Sequence, residues 1–159
     1  MENIHFVNID TGRHEFCDMK TWCLMYCNSL AARMIALIKM TGLPVIFSMK
    51  GVDGNGYIVA GDVEVNNSYM MAHEEGHLRL GHYEAGADVV CDDAGILNDV
   101  DAEIAADKYA IGKTKDPKMA LDVLSAMIES IDATPTLDSS KKTQAKLEYA
   151  RRMMAIANM

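Results

Sequence analysis

Residues 73 to 77 read His-Glu-Glu-Gly-His. On a helix, positions four apart lie on one face, so this spacing lets His73 and His77 offer imidazoles to a single metal ion while Glu74 projects beside them. Two histidines on one helical face with a glutamate between them are the core of a zinc hydrolase site. A zinc ion held there would lower the pKa of a bound water to about 7, and Glu74 would take its proton as it attacks a carbonyl and later return that proton to the leaving group.

Catalytic zinc usually takes three protein ligands and leaves one position for water, so a third donor is required. His82 lies five residues after His77, a rotation of roughly 140° on a continuous helix, and points away unless the chain breaks at Gly81. It also falls one residue short of the metzincin spacing, in which the third histidine comes six residues after the second. Cys91 offers a thiolate, a good zinc ligand, at a spacing unlike that of known cysteine-containing sites. Glu103 is the strongest candidate. It lies in Glu103-Ile104-Ala105-Ala106-Asp107, where Glu103 and Asp107 form an i, i+4 pair of like charge that disfavours a helix unless a cation or histidine stands nearby. Glu103 is expected to bind the metal while Asp107 accepts a hydrogen bond from the outer nitrogen of a ligand histidine, fixing its tautomer. Gly76, Ala102, Ala105 and Ala106 are small enough to let the two helices approach and share one ion.

The run His-Glu-Glu-Gly-His-Leu-Arg-Leu-Gly-His, followed about twenty residues later by Glu-Ile-Ala-Ala-Asp-Lys-Tyr-Ala, resembles the gluzincin zinc peptidases, and most of all the compact ImmA/IrrE-like proteins of phages and mobile elements. The resemblance covers about residues 43 to 130 and includes Gly56-Tyr-Ile-Val-Ala-Gly-Asp-Val-Glu-Val-Asn66 before the motif and Asp116-Pro-Lys-Met-Ala-Leu-Asp-Val-Leu-Ser-Ala-Met127 after it. It implies a cytoplasmic peptidase acting on a protein or peptide, with a DNA-binding repressor as one possible substrate. Related membrane-bound gluzincins use a downstream histidine to stabilise the oxyanion, and this chain has none after His82. Tyr69, Tyr83 and Tyr109, and more distantly Arg151 or Arg152, are the candidate substitutes. The rival reading from another class is a catalytically silent metal-binding regulator that captures a protein partner; the intact Glu74 argues against it, since a scaffold needs no base.

The elements that must position these groups follow from the pattern along the chain. Asp18 can cap a helix reaching about Met40, closed by Gly42 and Pro44. Val45 to Met49 and Tyr57 to Ala60 read as strands of a hairpin, with a third extended piece at Val63 to Asn66 placed to bind substrate by strand addition. The motif helix is expected to start at Asn67 or Ser68 and to end at Gly81. A polar connection from Tyr83 to Leu97 leads to a helix capped by Asn98 and ended by Gly112; Asp116-Pro117 opens another, to about Ile131, and Ser139 or Ser140 the last. The expected architecture is α+β: one mainly helical, zincin-like domain spanning 1-159, with a small two- or three-stranded antiparallel sheet before the motif helix.

Composition narrows the function classes. The chain has 159 residues, half of them apolar, and a formal charge of -8, which disfavours nucleic-acid or anionic-membrane surfaces because both demand clustered Lys and Arg. The N-terminus carries no secretion-signal pattern, and the apolar region Leu30 to Phe47 is interrupted by Arg33, Lys39 and Gly42-Leu43-Pro44, so a cytoplasmic protein without a membrane span is expected. Cys17, Cys23, Cys27 and Cys91 lack the paired spacing of a four-cysteine zinc site, and the thirteen methionines read as core filling.

Overall fold

In the computed structural model, residues 4–9, 13–14, 44–51, 53–91, 97–135 and 137–159 are described. The helix expected from Asp18 to Met40 and the cysteines at 17, 23 and 27 lie outside them.

The fold is α+β. Strands β1 (Ile4–Asn8), β2 (Arg13–His14), β3 (Ile46–Lys50) and β4 (Gly56–Ala60) form one sheet in the order β2-β1-β4-β3. The hairpin β3-β4 is antiparallel, as its sequence implies, with Ile46 opposite Ala60 and Lys50 opposite Gly56. Its turn is closed by Gly51 N–H donating to the Asn55 carbonyl at 2.8 Å and by Asp53, whose carboxylate accepts from the Asn55 amide and from the Tyr57 hydroxyl. The sheet is mixed, not purely antiparallel, because β1 runs parallel to β4 with Phe6 beside Ile58. Strand β1 escapes a hydrophobicity reading because it buries His5 beside Val7 while leaving Phe6 45% exposed, which breaks the apolar-inward alternation that marks a half-buried strand.

The third extended segment expected at Val63 to Asn66 is not a strand. Glu64–Asn66 is a turn of 3-10 helix. The Gly61-Asp62 turn leads straight into it, and local bonds from Val65 N–H to the Gly61 carbonyl and from Asn67 N–H to the Glu64 carbonyl take up the groups a ladder would have used. Strand addition of a substrate at 63–66 is therefore overturned.

Four helices follow: α1 (Ser68–Arg79), α2 (Val100–Thr114), α3 (Pro117–Ala133) and α4 (Ser139–Ala157). Each starts at a side-chain cap satisfying a free amide of its first turn: Asn67 accepts from Met70 N–H, Asp99 from Ala102, Asp116 from Met119 and Asp138 from Lys141. The cap of α2 is Asp99 instead of Asn98, whose own amide is bonded back to the Val90 carbonyl. Helix α2 also passes through Gly112, which faces open space, and stops at Lys115 with φ 58°, where Asp116-Pro117 begins the next helix.

The helical core gathers Tyr69 and Ala72 of α1, Ala110 and Ile111 of α2, Ala120 and Leu124 of α3, and Ile156 of α4. Each large side chain here contributes about 1.5–3 kcal/mol by leaving water. Helices α1 and α2 approach at Gly76: a Cβ there would lie 3.0 Å from the Tyr109 ring and 3.2 Å from the Ala106 carbonyl oxygen. Ala106 and Ala110 are fully buried on the facing side. This contact brings the carboxylates of α2 over the histidines of α1. Among the described residues, no helix is long and apolar enough to cross a membrane.

Candidate metal centre

Three donor atoms from two helices close a triangle. His73 Nε2 lies 2.8 Å from Glu103 Oε2, His77 Nε2 lies 3.2 Å from the same oxygen, and the two Nε2 atoms are 3.1 Å apart. Metal–nitrogen and metal–oxygen bonds of about 2.0–2.1 Å give a tetrahedral edge of roughly 3.3 Å, so all three separations fall within about 0.5 Å of that edge. Among the described residues this is the group of His, Cys, Asp or Glu side chains placed to hold a metal ion.

The outer nitrogens explain why the inner ones converge. His73 Nδ1 is 2.8 Å from Asp107 Oδ1. A carboxylate only accepts, so Nδ1 carries the hydrogen and Nε2 is left as a lone-pair donor. Asp107 is itself fixed: it is fully buried, receives Arg152 Nε and a terminal guanidinium nitrogen at 2.8 Å each, and accepts from the Tyr69 hydroxyl. Arg152 comes from α4 and lies over the Tyr149 ring, 5.0 Å from its centroid. On the other side, His77 Nδ1 lies 2.8 Å from His82 Nδ1. One proton sits between the two; with it on His77, His82 is the acceptor and His77 Nε2 also points a lone pair into the triangle.

His82 reaches this position because α1 ends in a Schellman motif. Gly81 adopts φ 74°, Gly81 N–H bonds to the Leu78 carbonyl and His82 N–H to the His77 carbonyl, which reverses the chain and lays His82 back against the helix. The helix does break at Gly81, the pivot on which the direction of His82 depends. The reversal makes His82 an outer partner of His77 instead of a third member of the triangle.

Two nitrogen lone pairs facing a carboxylate oxygen repel one another unless a cation or a proton lies between them, and this donor set fits a divalent metal with borderline nitrogen and oxygen preferences such as zinc. Without an ion a proton takes that role. Burial opposes charge on His73, but Asp107 and Glu103 outweigh it and push its pKa up to about 10. Burial likewise opposes ionisation of Glu103, and hydrogen bonds from His73 and His77 hold it well below the carboxylate range. His82, by contrast, is pushed down by burial and by His77.

The triangle forms one wall of a cavity of about 230 Å³, which Glu74 and Tyr83 also line. Glu74 Oε2 accepts from Ser48 Oγ at 2.6 Å, and Ser48 Oγ is 2.9 Å from the Tyr83 hydroxyl. The apolar lining of the cavity includes Met70, Val123, Leu124 and Met127. Thus the structure brings His73, His77, Glu103, Glu74 and Asp107 into one site. It leaves Cys91 exposed and outside the donor cluster. Of the oxyanion candidates, Tyr69 and Arg152 are committed to Asp107, Arg151 is exposed, and Tyr109 packs beside Gly76. Ser48 belongs to no sequence motif, and nothing local marks one serine in a strand as facing a glutamate 26 residues away.

Comparison of the chain with known protein families, with curated proteins and with solved structures finds no match.

Proposed function

We propose that this protein is a metal-dependent peptidase in which His73, His77 and Glu103 hold a zinc ion and Glu74 is the general base. The closed triangle of three donor atoms beside a cavity-lining glutamate is the observation that carries the reading. When bound, zinc supplies Lewis-acid polarisation of the scissile carbonyl and acidifies a water.

The chain's own groups supply the remainder. Asp107 and His82 engage the outer nitrogens of His73 and His77, which leaves the inner nitrogens aimed at one point. Arg152 holds Asp107 in its ionised form. Glu74 accepts the proton of the attacking water and delivers it to the leaving amine, a shuttle that needs a carboxylate within one hydrogen bond of both. The cavity keeps that exchange away from bulk solvent on its apolar side. The substrate is a protein or peptide, and the resemblance of about residues 43 to 130 to the ImmA/IrrE-like gluzincins makes a DNA-binding repressor the first protein to test.

Incubation of zinc-loaded protein and of Glu74→Gln with a broad peptide library tests this reading. Cleavage is expected from the unsubstituted chain, lost in Glu74→Gln and lost on adding a chelator. A chain that holds one zinc per molecule and cleaves nothing would replace the peptidase by a metal-bearing regulator that captures its partner.

A further inference from the structure

We propose that Ser48 is a positioning residue for Glu74, and that Tyr83 acts one link behind it, so that a Tyr83→Ser48→Glu74 chain of hydroxyl donors sets where the base stands; this rests on the peptidase reading. Ser48 sits in β3 between Phe47 and Met49, all three buried, and is itself 2% exposed. A buried hydroxyl needs a partner, and most side-chain hydrogen bonds go to backbone or water. Here the hydroxyl crosses to another element. Its 2.6 Å contact with Glu74 Oε2 falls in the range of hydrogen bonds from a hydroxyl to an ionised carboxylate, which are about twice as strong as neutral ones.

The hydrogen count sets the direction of the second link. Ser48 has one hydrogen, and it is directed at Glu74. The Tyr83 hydroxyl at 2.9 Å must therefore donate to Ser48 Oγ, which polarises the serine and strengthens its own donation. The same reversal at Gly81 that lays His82 on His77 delivers Tyr83 to Ser48. One oxygen of Glu74 is thereby tied to the sheet while the residue lines the cavity, and among the described residues no hydrogen bond holds its other oxygen. The chain also spends the Tyr83 proton inside the wall, so Tyr83 serves the base and not an oxyanion.

The test is steady-state kinetics on a cleaved peptide, with zinc affinity measured by chelator competition and crystal structures of the zinc-loaded variants. Ser48→Ala is expected to lower kcat by roughly tenfold or more, the effect of losing a hydrogen bond to a charged group, with KM and zinc affinity within about twofold. Ser48→Thr, which keeps the hydroxyl, is expected to recover most of kcat. Tyr83→Phe should lower kcat less than Ser48→Ala, and should lower it no further in a Ser48→Ala background, because it acts through that serine. The Glu74 carboxylate should leave its place in the Ser48→Ala structure and keep it in Ser48→Thr. Unchanged kcat in Ser48→Ala, with Glu74→Gln inactive, would overturn the positioning role and leave the peptidase standing. An unmoved Glu74 in the Ser48→Ala structure, or additive losses in the double variant, would overturn it as well. A zinc-loaded wild type that cleaves nothing is the separate failure, that of the peptidase reading.

Discussion

Replacing Asp107 by Asn removes one negative charge from a site where it has two duties, and the duties separate in the measurement. The first is to neutralise Arg152, which is 9% exposed and meets Asp107 through two contacts of 2.8 Å. Breaking a buried ion pair on one side costs about 3–5 kcal/mol, since Arg152 keeps only the more distant Glu103 carboxylate, 3.9 Å away. For a chain of this length each kcal/mol moves the melting temperature by about 2–4 °C, so Asp107→Asn is expected to melt roughly 6–20 °C lower. Adding Arg152→Met removes the stranded guanidinium and should return most of that loss. The second duty is to orient His73 as a metal ligand, and losing such an outer partner weakens metal affinity by about 10- to 100-fold. That loss should persist in the double variant. Acid titration of the metal-free protein gives a further signature. Burial alone would raise the Asp107 pKa, but Arg152 and His73 bring it down from 3.8 to about 2. Its folded pKa lies below its unfolded one, so this contribution is complete above about pH 4 and fades as pH falls towards 2; the acid limb should flatten in Asp107→Asn. Urea unfolding and chelator competition report the two duties separately. A loss of less than about 1 kcal/mol in the single variant, or an Arg152→Met change that restores zinc affinity along with stability, would overturn these two roles of Asp107.

Three further outcomes follow from the same geometry. His82→Ala should weaken zinc binding by about tenfold with little change in melting temperature, since His82 only supports His77 from outside; chelator competition and calorimetry check it. Because Asp107 and Glu103 push His73 up to about 10 in the metal-free site, zinc must displace its proton at pH 7, and titration calorimetry in buffers of different ionisation enthalpy should show about one proton released, with affinity falling as pH is lowered. Gly76→Ala would place a methyl against the Tyr109 ring and the Ala106 carbonyl, costing about 1–3 kcal/mol in unfolding and reducing zinc affinity by spreading α1 from α2.

Much of the site is legible locally. His73 and His77 share a face because a helix turns every 3.6 residues; Asn67 and Asp116 start helices because their short side chains reach a free amide; Gly81 ends one because it tolerates a left-handed backbone. Where local rules failed, a competing local bond or a distant partner had taken over. Val63 to Asn66 has strand-forming valines, yet the turn at Gly61-Asp62 curls it into 3-10 geometry. Ile4–Asn8 carries no clean alternation because its partner β4, some fifty residues on, decides which face is covered. Arg152, weighed from the sequence only as a remote oxyanion donor, lies 45 residues from the carboxylate it neutralises.

The order of residues thus determined by itself the pair of imidazoles on one helical face, the glutamate between them, the starts of α1 and α3, the stop of α1 at Gly81, and the α+β class, since each depends on bonds reaching only a few residues along the backbone. Tertiary structure decided which acid, of several available, lies across from those imidazoles, which histidine stands behind them, and which serine faces the base. Those choices depend on how closely α1 and α2 approach at Gly76, on the reversal at Gly81 and on the seating of α4. All of these are settled by long-range packing, in which exclusion of water and pairing of buried charge outweigh any preference a short stretch of sequence can express.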